Sequence, residues 1–114
     1  MKDQLYIMQP GFFNGDLGPL YCGDSAPVEG VLSFFPKLRD LVDVHYIPFA
    51  RPRAPLFELL GEENQSIPVL VLGLESKIVD GTLEPQTAKG QRFFSDQSLI
   101  RRYLSTQFQL PQAG

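Results

Sequence analysis

The sequence predicts a single α/β domain, a four-stranded mixed sheet flanked by helices in the order β-α-β-α-β-β-α. Three observations predict it. An apolar strand-like run, Gln4 to Gln9, precedes a stretch in which Val28, Val31, Leu32, Phe35 and Leu38 recur at helical spacing, and a second strand-like run, Asp43 to Pro48, follows. That succession closes as a right-handed parallel crossover. A proline-led apolar run, Ile67 to Leu72, returns through a long hairpin excursion to Arg92 to Ser95, and a capped helix ends the chain. At 114 residues there is room for one core and not for two.

Gln4 to Gln9 is short and apolar enough to be central in a sheet, and Pro10-Gly11 ends it. Gly11 to Leu20 holds three glycines, Pro19, Asn14 and Asp16, so it reads as a loop. Its Phe12 and Phe13 either pin that loop to the body or wall a pocket beside Cys22. The first helix begins near Ser25, because Asp24 and Ser25 suit an N-cap and Pro27 suits a first turn. Pro36 bends or ends it between Phe34 and Asp40. In Asp43 to Pro48, Val44 and Tyr46 share one face while His45 and Ile47 share the other. Ala54 to Leu60, with Leu56, Leu59 and Leu60 at helical spacing, makes a short second helix that Gly61 stops.

Ile67 to Leu72 is the most β-prone run in the chain, and its proline sits near the strand start, one of the few places a sheet accepts it. Gly73 to Gln91 is polar and rich in turn residues, with Lys77-Ile78-Val79 as a brief strand within it. Ser95 or Asp96 caps the final helix, whose buried face is Leu99, Ile100, Tyr103 and Leu104. Residues 107–114 read as a fraying tail.

Composition narrows the function. Hydrophobic residues make up 43% and charged residues 20%, the usage of a globular domain. A net charge of −3, with basic residues scattered except for Arg51/Arg53 and Arg101/Arg102, argues against a nucleic-acid partner, which needs clustered cations. No apolar run approaches the roughly 20 residues that span a bilayer, and the N-terminus lacks the apolar core of a signal peptide. No membrane is expected, and the cytoplasm is the expected location. One cysteine and one histidine supply neither a disulfide framework nor a metal constellation.

Cys22 therefore acts alone or with another molecule. It lies between the end of a strand and the start of a helix, where backbone amides and the positive helix end favour a thiolate. Asp24, two residues on, opposes that by Coulomb repulsion. His45 falls in mid-strand rather than at the end carrying the thiol, so a structural role is expected of it.

Three separated motifs resemble the thioredoxin fold, in its glutaredoxin and glutathione-transferase N-terminal branch. Cys22-Gly23-Asp24-Ser25 looks like the CxxC or CxxS redox motif, Ser66-Ile67-Pro68-Val69-Leu70 like the motif with a cis-proline, and Ser95 to Leu104 like the transferase stretch with an acidic residue and Ser. The approach from Gly61 to Ser66 resembles a small, uncharacterised bacterial thioredoxin-like family whose members often carry two cysteines where this chain has Cys22 and Ser25.

The resemblance implies a thioredoxin-like domain with Cys22 and Ser25 at the catalytic positions and glutathione as cofactor. Pro68 would be cis, and Ile67 would pair its backbone with the cysteinyl part of glutathione. Asp96 and Gln97 would hold the γ-glutamyl group, and Arg51 or Arg53 would meet the glycyl carboxylate. With Ser25 in place of a second cysteine, the implied activity is monothiol exchange or deglutathionylation of a disulfide or glutathionylated protein. A homodimer is left open. Conventional transferase activity is not expected, because the C-terminal helical domain is missing. The alternative is a noncatalytic binding or assembly module on the same fold.

Overall fold

The computed structural model describes residues 1–114. Its strands are β1 Gln4–Met8, β2 Phe12–Asn14, β3 Leu17–Leu20, β4 Asp43–Ile47, β5 Val69–Val71, β6 Gln86–Ala88 and β7 Gln91–Phe94. Its helices are α1 Ser25–Phe34, α2 Leu38–Leu41, α3 Ala54–Leu60 and α4 Gln97–Gln107. Five strands form one mixed sheet in the order β4-β1-β5-β7-β6, with β1 and β4 parallel and the other pairs antiparallel. The chain passes from β1 through α1 to β4, and the two strands pair in parallel, as the apolar spacing predicts.

The pleat sorts the core into two layers. Leu5 and Ile7 of β1, Leu70 of β5 and Phe94 of β7 point to the face covered by α1 and α4, where they meet Val28, Leu32, Ile100 and Leu104. Their neighbours Tyr6, Met8, Val69, Val71 and Phe93 point to the opposite face, where Leu56 and Leu60 of α3 cover them. Both faces of the central strands are thus buried, which explains why β1 and β5 read as continuous apolar runs rather than alternating ones.

The sheet has five strands rather than the four expected. The extra strand, β6, comes from the excursion after Gly73, where Lys89 and Gly90 take positive φ values of 50° and 76° and turn the chain back onto β7. Gln86 and Thr87 lie at an exposed sheet edge, so no apolar alternation marks them. Lys77-Ile78-Val79 forms no strand; Ile78 packs against the core from a loop. The segment from Gly11 to Leu20, expected as a loop, contains the separate hairpin β2–β3.

The helix ends follow the sequence in part. Pro55 lies in the first turn of α3 and Gly61 ends it at φ 91°. Asp24 occupies the N-cap position of α1 but makes no side-chain capping bond. The apolar stripe of α4 is Ile100, Tyr103 and Leu104, whereas Leu99 is 38% exposed. Beyond α4 the chain returns to the body instead of leaving it. The Leu110 amide donates to the Ser105 carbonyl, the Ser105 hydroxyl to the Pro111 carbonyl, and Phe108 and Leu110 pack against the core.

A buried polar knot fastens the N-terminus across the sheet. Asp3 is only 4% exposed, and its carboxylate accepts hydrogen bonds from the Gly73 amide at 2.7 Å, the Ser76 hydroxyl at 2.6 Å and the Tyr103 hydroxyl. Burial, reinforced by that carboxylate, pushes the Tyr103 phenol well above its ordinary value, so it serves as a permanent donor. Tyr103→Phe keeps the ring and removes one donor from a buried carboxylate. Urea unfolding is expected to show a loss of about 1–3 kcal/mol.

Candidate functional site

The lone thiol lies where β1, α1 and the segment before β5 meet. The helix starts immediately after it: the Ala26 amide donates to the Cys22 carbonyl at 3.1 Å, and the Ser25 amide donates to the Cys22 sulfur at 3.4 Å. Sγ is therefore aimed at by a first-turn N–H, one of the donors a helix start leaves without a backbone partner. Cys22 is half-buried. Ser25 is 3% exposed, and its hydroxyl accepts from the Met8 amide at 3.2 Å. It thereby ties the helix start to the end of β1.

On another flank of the sulfur stands Ile67, whose carbonyl oxygen is 3.9 Å from Sγ. The Ile67–Pro68 peptide bond is cis. The Ile67 amide makes no hydrogen bond within the chain, although the residue is buried. Buried amides normally find a partner; this one has none within the chain.

Arg53, one of the two arginines expected to meet a glycyl carboxylate, holds that segment in place. Its guanidinium donates to the Gln65 carbonyl at 2.7 Å and to the Phe49 carbonyl at 2.8 Å, and it stacks over the Phe49 ring. Its backbone amide donates to the Gln65 side-chain oxygen at 2.7 Å. At 6% exposed, with its donors directed at main-chain oxygens, Arg53 is engaged in structure rather than free for a ligand carboxylate. Burial pulls its guanidinium below the ordinary value, helped by the charge of Arg51 and opposed by Cys22. It nevertheless stays charged at any physiological pH. Arg51 is exposed and makes no hydrogen bond or ion pair.

Asp96 caps α4 as its position predicts. One carboxylate oxygen accepts from the Ser98 amide at 2.8 Å, the Ser98 hydroxyl at 2.5 Å and the Leu99 amide at 3.3 Å. These donors, the Ser98 hydroxyl foremost, hold the carboxyl below its usual range. The other oxygen makes no bond within the chain and faces solvent. Gln97 accepts from the Arg101 Nε at 2.8 Å, which leaves its amide nitrogen uncommitted. Ser95, beside Asp96, and Ser66, beside Ile67, line the same small cavity, so the helix cap and the Ile67 segment are neighbours.

Several features escape sequence reading. A cleft of about 250 Å³ opens beside Cys22, walled by Met8, Pro10, Tyr21, Ala26 and Tyr46, with Glu29 at its polar end. Cys22, Ser25 or Ala26, and Glu29 recur at helical spacing, so one wall was findable; the walls from β1 and β4 were not. Neither Phe12 nor Phe13 lines this cleft: Phe12 stacks on Phe49 with ring centroids 4.6 Å apart, and Phe13 is exposed. His45 bonds Gln4 at 2.6 Å and stacks on Tyr6. No three His, Cys, Asp or Glu residues come together as a metal-binding group, and no helix is long and apolar enough to cross a membrane.

A family model described as a protein of unknown function, DUF3088, matches residues 2–112, and the chain belongs to that family. No curated protein and no solved structure matches the chain.

The Arg53 assignment makes a direct prediction. Arg53→Met retains the aliphatic stem but leaves the carbonyls of Phe49 and Gln65 without donors. The expected loss is about 1–3 kcal/mol in urea unfolding, with faster amide exchange in residues 64–67.

Proposed function

We propose that this member of the DUF3088 family is a glutathione-linked monothiol redox protein on a thioredoxin-like domain, acting in the cytoplasm. One observation carries the reading: Ile67, whose carbonyl oxygen is 3.9 Å from the Cys22 sulfur, has an amide unpaired within the chain, and that sulfur itself receives a helix N–H. A peptide carrying a disulfide sulfur can pair with Ile67 as an added strand while its sulfur meets Cys22. Glutathione is such a peptide.

In this reading the Cys22 thiolate attacks the glutathionyl sulfur of a mixed disulfide and expels the partner thiolate. The Cys22–glutathione disulfide is then opened by a second glutathione, because Ser25 offers no resolving thiol. Asp96 takes the γ-glutamyl ammonium with its free carboxylate oxygen, and the Gln97 side-chain amide supports the neighbouring carboxylate. Arg51, exposed and unpaired, replaces Arg53 as the candidate for the glycyl carboxylate.

A second reading has its own support. Phe13, Leu17 and Tyr21 are 58%, 68% and 70% exposed on or beside the β2–β3 hairpin. Apolar side chains gathered in this way often mark a protein-binding surface, and this one adjoins Cys22. A noncatalytic binding module would use that surface and leave the thiol idle.

Turnover separates the two. The redox reading predicts that the protein reduces a glutathionylated peptide with glutathione as reductant, and that Cys22→Ser lowers the rate to the uncatalysed level. It also predicts that glutathione at a hundredfold excess over its Kd stabilises Cys22→Ser by about 2.7 kcal/mol through mass action. Absence of both turnover and stabilisation leaves the binding-module reading.

A further inference from the structure

The cleft beside Cys22 has no part in the reading above, and its chemistry is distinct from that of the Ile67 edge. Cys22, Ser25, Ala26 and Glu29 form its helical wall, whereas none of residues 65–68 contributes to it. A mixed disulfide has two halves, and the thiol has two flanks. One flank offers main-chain hydrogen bonding; the other is an apolar recess.

The recess is also without free charge. Glu29 is the only charged side chain lining it, and both of its carboxylate oxygens are engaged. Arg39 donates to Oε1 at 3.0 Å, and the Tyr46 hydroxyl donates to Oε2 at 2.8 Å. Arg39 also donates to the Tyr46 hydroxyl at 3.0 Å. The network engages both Glu29 oxygens and supplies a counterion for the cleft's one anion. A charged ligand group would find no unpaired partner there, whereas an apolar group would displace water from Met8, Pro10, Tyr21 and Ala26.

We propose that this cleft selects the leaving half of the substrate, an uncharged apolar thiol of about side-chain size joined by a disulfide to glutathione. The inference rests on the monothiol redox reading. The Cys22 thiolate attacks the glutathionyl sulfur, forming the Sγ–S bond and breaking the substrate S–S bond. The electron pair leaves on the apolar thiolate, which takes a proton from water. A glutathione thiolate then attacks the Cys22–glutathione disulfide, restoring the Cys22 thiolate and forming glutathione disulfide.

Two measurements test it. The first needs no redox turnover: alkylation of Cys22 by N-benzylmaleimide and by N-(2-hydroxyethyl)maleimide, each normalised to the rate with free N-acetylcysteine. The apolar reagent should be favoured by about tenfold in wild type, the range of a small apolar pocket, and the preference should vanish in Ala26→Trp, which fills the recess, and fall in Ala26→Gln. Ala26 is exposed on α1, and circular dichroism is the check that each variant is folded. The second compares glutathione disulfides of benzyl mercaptan and of 2-mercaptoethanol, with kcat/KM expected to favour the benzyl compound about tenfold.

Equal normalised alkylation rates in wild type overturn the apolar cleft, whatever the redox activity. Turnover of both disulfides at equal kcat/KM overturns the leaving-group assignment and leaves the redox reading standing. An apolar alkylation preference with no turnover of either disulfide contradicts the redox reading, and the leaving-group assignment falls with it.

Discussion

The site depends on a buried cation fastened to main-chain oxygens. Arg53 spans from the loop after β4 to Gln65, two residues before Ile67, and its charge-assisted bonds to Phe49 and Gln65 fix the stretch of chain whose Ile67 carbonyl lies 3.9 Å from the Cys22 sulfur. Burying a guanidinium is costly unless its donors are satisfied. Here the Phe49 and Gln65 carbonyls accept from it, and the Phe49 ring covers it. The result is a pinned segment placed against the start of a helix.

That arrangement divides labour among three elements. Central strand β1 is buried on both faces and supplies the Met8 amide that holds Ser25. Helix α1 supplies the thiol and the N–H that meets it. The segment before β5 supplies the edge. The Asp3 knot at the other end of β1 locks the same strand to Gly73, Ser76 and Tyr103, so the sheet is anchored on one side of the site and at its far end.

Much of this was legible in the sequence because it is local. Ala54 to Leu60 is bounded by a first-turn proline and a C-terminal glycine, and its limits can be read directly. Asp96 and the apolar positions of α4 identify the last helix, and the helical spacing after Ser25 identifies α1. Three features depend on partners far along the chain. Strand β6 is a polar edge whose only sign is a turn. The β2–β3 hairpin is exposed, so its glycines and prolines read as loop. Arg53 looks like a free cation because nothing in its neighbours shows that Gln65 will accept from it. The cleft lies between these cases: its helical wall is periodic, but the other walls come from β1 and β4.

In the proposed function, Ile67 offers its amide to a peptide whose sulfur is joined to Cys22. Hydrogen exchange at the Ile67 amide, followed by NMR before and after conversion of Cys22 to its glutathione mixed disulfide, tests it most directly. Slower exchange is expected at Ile67 in the adduct, as that amide gains a carbonyl partner. Unchanged exchange at Ile67 in a fully formed adduct would contradict it.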